Sequence, residues 1–230
     1  MPPLNHLFGY ISMMALVLMA PMTGWFISLE GIEGAGKTTQ IRLLADWLTQ
    51  KGYDVLVTHE PGGTSLGQSL RQLLLQHSLP QRTELLLYAA DRATHVTQVL
   101  KPALQSNKVV LCDRYMDSTV AYQGWGRGLD VNLIEQMNHV ATEGLTPDLT
   151  LWLDVPVAVG LARARGRGAL DQMERESLAF HERVRQGYQH LTDRYPERMV
   201  RIAAALPVEQ VFHQICQTVA ARFPGANGYR

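Results

Sequence analysis

Apolar positions along the chain fall into two alternating kinds of segment. Short runs, apolar on both faces, occupy residues 25–30 (WFISLE), 55–58, 109–112, 149–153 and 199–203, and each reads as a buried strand. Between them the spacing becomes helical over residues 38–51, 65–76, 83–105, 131–142, 174–194 and 208–223. In the first of these helices Ile41, Leu43, Leu44, Trp47 and Leu48 are expected to face inward. Glu60-Pro61-Gly62-Gly63 must interrupt regular structure. Strands alternating with helices, with no polar face on any strand, predict an α/β fold: a parallel sheet with helices on both faces. Ligands should then gather at the carboxyl ends of the strands.

At 230 residues the chain fits one domain with a substantial core. Lys plus Arg and Asp plus Glu both number 21. With no net field to attract a nucleic-acid polymer or an anionic membrane, any phosphate chemistry must be local. The two cysteines, Cys112 and Cys216, suggest no disulfide framework, and Cys112 ends an apolar run where a buried thiol is the natural reading. The eight histidines form no HExxH or Cys/His cluster. Residues 1–24 are unlike the rest, being mostly apolar from Leu7 to Met22 but interrupted by Gly9, Tyr10, Ser12 and Pro21. No Lys or Arg precedes that stretch, as a secretory leader requires, and it is marginal for a membrane span of about 20 residues. Met22-Thr23-Gly24 looks like a start, so residues 1–24 read as a non-native or disordered extension, with an anchor or partner helix as the alternative. Residues 25–223 then form the domain, and 224–230 a frayed tail.

Gly31-Ile32-Glu33-Gly34-Ala35-Gly36-Lys37-Thr38 satisfies GxxxxGK[ST] between a predicted strand and a predicted helix, the context a P-loop needs. Glycines let successive N–H groups turn inward around a phosphate, and the positive end of the following helix favours the anion. Lys37 would neutralise the β and γ phosphates, and Thr38 would offer its hydroxyl to Mg²⁺. A P-loop alone also fits a GTPase, a motor or a transporter ATPase.

Phe26 to Thr39 (FISLEGIEGAGKTT), Glu60-Pro61-Gly62-Gly63-Thr64, Asp91-Arg92, and Asp113-Arg114-Tyr115 with Ser118, Ala121, Tyr122, Gln123 and Gly124 together resemble the bacterial thymidylate kinase family in order and spacing, over about residues 25–215. The resemblance implies a P-loop NTPase-type nucleoside monophosphate kinase domain with a lid at about residues 160–175. It implies ATP and dTMP as substrates, a homodimer and a cytoplasmic setting.

Glu33 is an acid inside an anion-binding loop, where it should repel phosphates unless it has a second duty. By resemblance that duty is to reach the dTMP 3′-hydroxyl; a solvated glutamate is the alternative. Tyr88 and Arg92 are four apart and share a helix face. By resemblance Tyr88 stacks on thymine and Arg92 holds the base or its phosphate, the alternative being an Arg92 paired to an acid such as Asp91. Asp113 closes a strand where an acid can organise Mg²⁺, and Arg114 beside it can bridge donor and acceptor phosphates. Thr119, Tyr122 and Gln123 match positions near the thymine edge and the deoxyribose, with Tyr122 crowding out a ribose 2′-hydroxyl. Thr119 also reads as a plain helix-face hydroxyl.

Arg163, Arg165 and Arg167 alternate in a segment resembling the family's lid. With Glu33 and Ala35 rather than arginine in the P-loop, the chain is closer to members that carry catalytic arginines in the lid. Arg163 and Arg167 would align on a helix, and Arg167 is the favoured transition-state contact; a solvated basic surface is the alternative. Two departures put one phosphate or lid contact each in doubt: His59 stands before EPGG where many relatives have Arg, and Gln172 follows Asp171 where a basic residue is frequent.

A phosphate monoester acceptor is largely ionised at neutral pH and needs no general base. Competing readings are another nucleotide or deoxynucleoside kinase, for which Glu60 could serve as the base, and a regulatory NTP-binding protein without transfer activity.

Overall fold

The computed structural model describes residues 24–166, 172–173 and 175–223; residues 1–23 of the proposed N-terminal extension, the tail and Arg167 lie outside these. Five parallel strands, β1 (Trp25–Glu30), β2 (Val55–His59), β3 (Val109–Asp113), β4 (Leu149–Asp154) and β5 (Met199–Ala203), form one sheet in the order β2-β3-β1-β4-β5. β1 and β4 are buried almost throughout, and β3 as far as Cys112, because helices cover both faces. That is why these runs are continuously apolar rather than alternating.

The helices are α1 (Lys37–Gln50), α2 (Ser65–Gln76), α3 (Gln81–His95), α4 (Lys101–Gln105), α5 (Met116–Thr119), α6 (Val131–Thr142), α7 (Val157–Arg165), α8 (Leu178–Arg194) and α9 (Val208–Arg222). In α1, Ile41, Leu44 and Leu48 are buried, while Leu43 and Trp47 are only half-buried. The expected continuous helix over 83–105 is instead interrupted by a wider π-type turn, Val96–Leu100, where the Lys101 amide reaches back to the Val96 carbonyl. Pro102 follows, and its lack of an N–H removes the bond that would hold a regular α-turn there. The helix expected over 174–194 begins at Leu178, because Ser177 caps it by accepting from the Phe180 amide at 3.2 Å. Residues 116–126 fall outside the helical spans read from the sequence, although Thr119 was weighed as a helix-face hydroxyl, and form α5 and a second π-type turn, Val120–Gly126.

Register decides what meets at the carboxyl edge. Leu29 pairs with Asp113, and Asp113 with His59, so the loops leaving β1, β2 and β3 emerge side by side. The Glu60 amide donates to the Asp113 carbonyl (3.0 Å) and the Arg114 amide to the Leu29 carbonyl (3.0 Å). Three sequence motifs far apart along the chain thus converge on one crevice.

Candidate active site

The loop from Gly31 to Gly36 links β1 to α1 and is pressed against α7. Gly34 has φ 71°, and a β-carbon there would lie 2.0 Å from the Gly160 carbonyl oxygen. Both the backbone conformation and the space therefore demand glycine. Ile32 and Ala35 are buried, so toward a ligand they can offer only backbone. Lys37 folds back on the loop, its Nζ donating to the carbonyls of Gly31 (2.9 Å) and Ile32 (3.1 Å). Burial, and then the positive charge of Arg114, push its ammonium pKa down from the ordinary 10.5 to about 8. The Thr38 hydroxyl donates to Asp113 Oδ2 at 3.1 Å, bringing together the two residues expected to hold a metal.

Arg114 sits at φ 71°, a left-handed conformation uncommon for a residue with a side chain. From there Nη2 donates to Glu33 Oε1 (2.8 Å) and to the Tyr122 hydroxyl (3.0 Å), and Nη1 to Ser118 (3.2 Å) and Tyr188 (3.3 Å). The Tyr122 hydroxyl in turn donates to Glu33 Oε1 at 2.7 Å. Burial would raise the Glu33 pKa, but Arg114, His181, Lys37 and Tyr122 together outweigh it and hold the carboxyl well below the usual range. This is how an acid survives in a phosphate-binding loop: it enters as half of an ion pair.

At the other end, Tyr88, Arg92, Thr119, Tyr122 and Gln123 line one cavity of about 570 Å³ with Glu33, Lys37, Thr38, Asp113 and Arg114. Arg92 is 2% exposed, and its expected alternative partner, Asp91, is not the one it takes. Its Nε donates to Glu60 (2.8 Å), Nη1 to Thr119 (2.9 Å) and Asn138 (2.7 Å), and Nη2 to the Tyr115 carbonyl (3.2 Å). Four of the five guanidinium hydrogens are thereby used, leaving one on Nη2. Thr119, buried on α5, accepts from Arg92 and lines the cavity. Glu60, weighed above as a base, accepts from Arg92 and also lies 2.8 Å from His95 Nδ1. Glu60 lines the main cavity, but both its oxygens already have side-chain partners, which does not favour its use as a base in a nucleoside kinase.

A family model described as thymidylate kinase matches residues 29–215. The chain belongs to the thymidylate kinase family. It is 55% identical over 203 residues to the thymidylate kinase of Trichormus variabilis, covering 86% of this chain and 96% of that one. Against the thymidylate kinase of a Synechococcus species it is 55% identical over 207 residues, covering 89% and 98%. The crystal structure of thymidylate kinase from Ehrlichia chaffeensis superposes with a TM-score of 0.71 at 36% identity, covering 85% and 98%. As a thymidylate kinase family member, the chain is an ATP-dependent nucleoside monophosphate kinase.

Of the expected lid arginines of this kinase, Arg163 and Arg165 are not brought to the Lys37–Arg114 cluster. Arg163, exposed on α7, donates to the carbonyls of Ala204 (3.0 Å) and Ala205 (3.4 Å). It lines a second cavity, of about 340 Å³, between the back of the phosphate loop, including Gly34 and Gly36, and the segment Ala204 to Val208. Arg165 is exposed at the end of α7 and lines neither cavity. Arg163 was expected beside the reacting phosphates; its helix points it the other way along the loop.

Some residues at or behind the main cavity were given no role by the sequence. Arg71 on α2 donates to the Pro61 carbonyl (2.8 Å) and, with Arg42, adds positive charge to the mouth of the kinase's main cavity. His59, the departure before EPGG, lies 3.1 Å from the Pro61 oxygen through Nδ1. His181 is fully buried and faces Glu33 Oε2 at 3.4 Å. Arg71 sits in an ordinary helical pattern and His181 on the apolar side of α8, so only their spatial neighbours distinguish them.

The Lys37 shift predicts a pH profile. In the free enzyme Lys37 is charged below about pH 8, so kcat/KM for ATP should fall about tenfold per pH unit above 8. kcat should stay flat to higher pH, because bound phosphates favour the charged form. Since the folded pKa lies below the unfolded one, this group's contribution to stability is present above 10.5 and lost as pH falls through about 8. Initial rates from pH 6.5 to 9.5 test this; parallel profiles for kcat and kcat/KM would exclude Lys37 as their origin.

Proposed function

We infer that this chain transfers the terminal phosphate of ATP to dTMP, giving dTDP and ADP. The observation that carries the reading is Arg114, held by Glu33 and Tyr122 in the cavity that also contains Lys37 and the Thr38–Asp113 pair. One end of that cavity is cationic and suits two phosphates; the other presents the Tyr88 ring with amide and hydroxyl groups and suits a base. ATP would lie across the amino end of α1, with adenine in the second cavity, where the planar Arg163 guanidinium can stack on it. Arg163 is thus a donor-nucleotide contact in this reading rather than a transition-state one. The lid-arginine role then rests with Arg165 and Arg167, within one domain of residues 25–223.

Lys37 must leave the Gly31 and Ile32 carbonyls to meet the β and γ phosphates. Arg114 is placed between donor and acceptor, and Tyr122 and Glu33 bear on the deoxyribose. No residue need accept a proton, because the acceptor phosphate is already ionised. The Thr38 hydroxyl and Asp113 carboxylate fit Mg²⁺: both are hard oxygen donors, and among the described residues no three His, Cys, Asp or Glu side chains gather to trap a softer metal. Mg²⁺ there supplies neutralisation of the β and γ phosphates.

No described helix is long and apolar enough to cross a membrane; a role in nucleotide supply suits a cytoplasmic setting. Leu66 and Leu73 on α2, Leu86 on α3, and Leu133 and Val140 on α6 are exposed on helices that pack side by side. These exposed apolar side chains suit a homodimer, whose presence sedimentation velocity reads directly.

Purified protein with Mg²⁺-ATP should release ADP with dTMP, and poorly with the ribose analogue that Tyr122 would exclude. Turnover with thymidine instead, or with no acceptor offered, would overturn the assignment.

A further inference from the structure

Glu84, near the start of α3, is only 4% exposed and touches neither phosphate position. Its carboxylate is gripped by Arg127, through Nε to Oε1 (3.3 Å) and Nη2 to Oε2 (3.2 Å). Arg127 is itself fixed by Glu176 and by stacking over the Phe180 ring at 4.9 Å. Glu84 Oε1 also accepts from Gln123 Nε2 at 2.7 Å. An ionised carboxylate can only accept, so the amide group facing it must be the NH₂. The carbonyl of Gln123 is therefore turned away from Glu84, on a residue that lines the main cavity beside Tyr88 and Thr119.

We propose that Glu84, held by Arg127, is a positioning residue that fixes the Gln123 amide carbonyl-first toward the nucleobase, and that this polarity selects thymine over cytosine. The proposal rests on the reading above that the base lies against Gln123. Thymine offers an N3–H donor between two carbonyls, which a glutamine oxygen can accept. Cytosine carries a lone pair at N3, and a carbonyl held against it leaves two acceptors buried without a hydrogen between them. A free glutamine would evade this by rotating its amide by half a turn; Glu84 forbids the rotation.

Glu84→Gln makes the rotation possible. The new amide at position 84 can give its oxygen to Arg127 Nη2, where Oε2 now lies, and turn its NH₂ toward Gln123, whose amide is then free to present NH₂ to the base. The dTMP/dCMP ratio of kcat/KM should fall about 10- to 100-fold, with the dTMP loss mainly in KM and an absolute gain for dCMP. The double variant Glu84→Gln/Gln123→Glu restores an acceptor-only group toward the base and should recover most of the ratio. Arg127→Lys keeps the charge but loses the two-point grip, and should lower the ratio less. These two variants keep the test alive should Glu84→Gln fold poorly.

Gln123→Leu separates the two layers of the proposal. If it leaves the ratio intact, the base does not lie against Gln123 and the proposal falls with that reading. If it collapses the ratio while Glu84→Gln and Arg127→Lys do not, Gln123 reads the base unaided and the positioning role of Glu84 is overturned. Equal losses for dTMP and dCMP in every variant, tracking the melting temperature, would mean that Glu84 is structural only.

Discussion

Arg114→Met is expected to lower turnover of dTMP about 10²- to 10³-fold, the usual loss when one preorganised charge donor is removed from a developing anion. A second effect should appear in the KM for ATP. Arg114 Nη2 lies 2.8 Å from Glu33 Oε1, and Arg114 is the foremost group holding that carboxyl ionised against burial. Without it Glu33 stands in the phosphate loop with only Lys37, His181 and Tyr122 to answer it, and opposes the incoming phosphates. Arg114→Met/Glu33→Gln should therefore bind ATP more tightly than Arg114→Met alone while remaining slow. Arg114→Lys should rescue little, since an ammonium cannot reproduce a planar fork that reaches Glu33, Tyr122, Ser118 and Tyr188 together. Steady-state kinetics with each substrate varied decides the matter. A single variant within about threefold of the parent would place the phosphates elsewhere.

Arg92→Met is expected to cost about 3–5 kcal/mol of stability, the range for breaking a buried ion pair by removing one partner. Glu60 would keep only His95, whose other nitrogen is already 2.7 Å from Thr58. Thr119, Asn138 and the Tyr115 carbonyl would lose their donor at the same time. Arg92→Met/Glu60→Leu should be less destabilised than the single variant, because the stranded charge is gone. Urea unfolding followed by circular dichroism reads both. A loss below about 1 kcal/mol for Arg92→Met would mean that water reaches Glu60 and that Arg92 is not a keystone between α3, α5 and α6. Acceptor affinity should also weaken, since the remaining Nη2 hydrogen is the one free to meet dTMP.

Much of this could be read from the chain alone, and the reason is locality. Strand positions were legible because a strand buried on both faces is apolar without interruption. The P-loop was legible because its glycines, Lys37 and Thr38 are contiguous, and the turn they form depends on little else. Gln81–His95 running into a π-type turn was not legible, because a helix that widens by one residue keeps the same apolar residues. Arg92 illustrates the boundary: its helix face was evident, but its acid proved to be Glu60 across the crevice rather than the neighbouring Asp91.

The alternation of strand and helix, the phosphate loop and the family are all written in short-range spacing or contiguous motifs. Which charges neutralise one another comes instead from long-range packing: Glu33 with Arg114, Glu60 with Arg92, Glu84 with Arg127, and Arg163 turned to the far side of the loop. Such pairs join residues 32 to 81 positions apart, and their partners are chosen by strand register and helix packing, which no local pattern encodes.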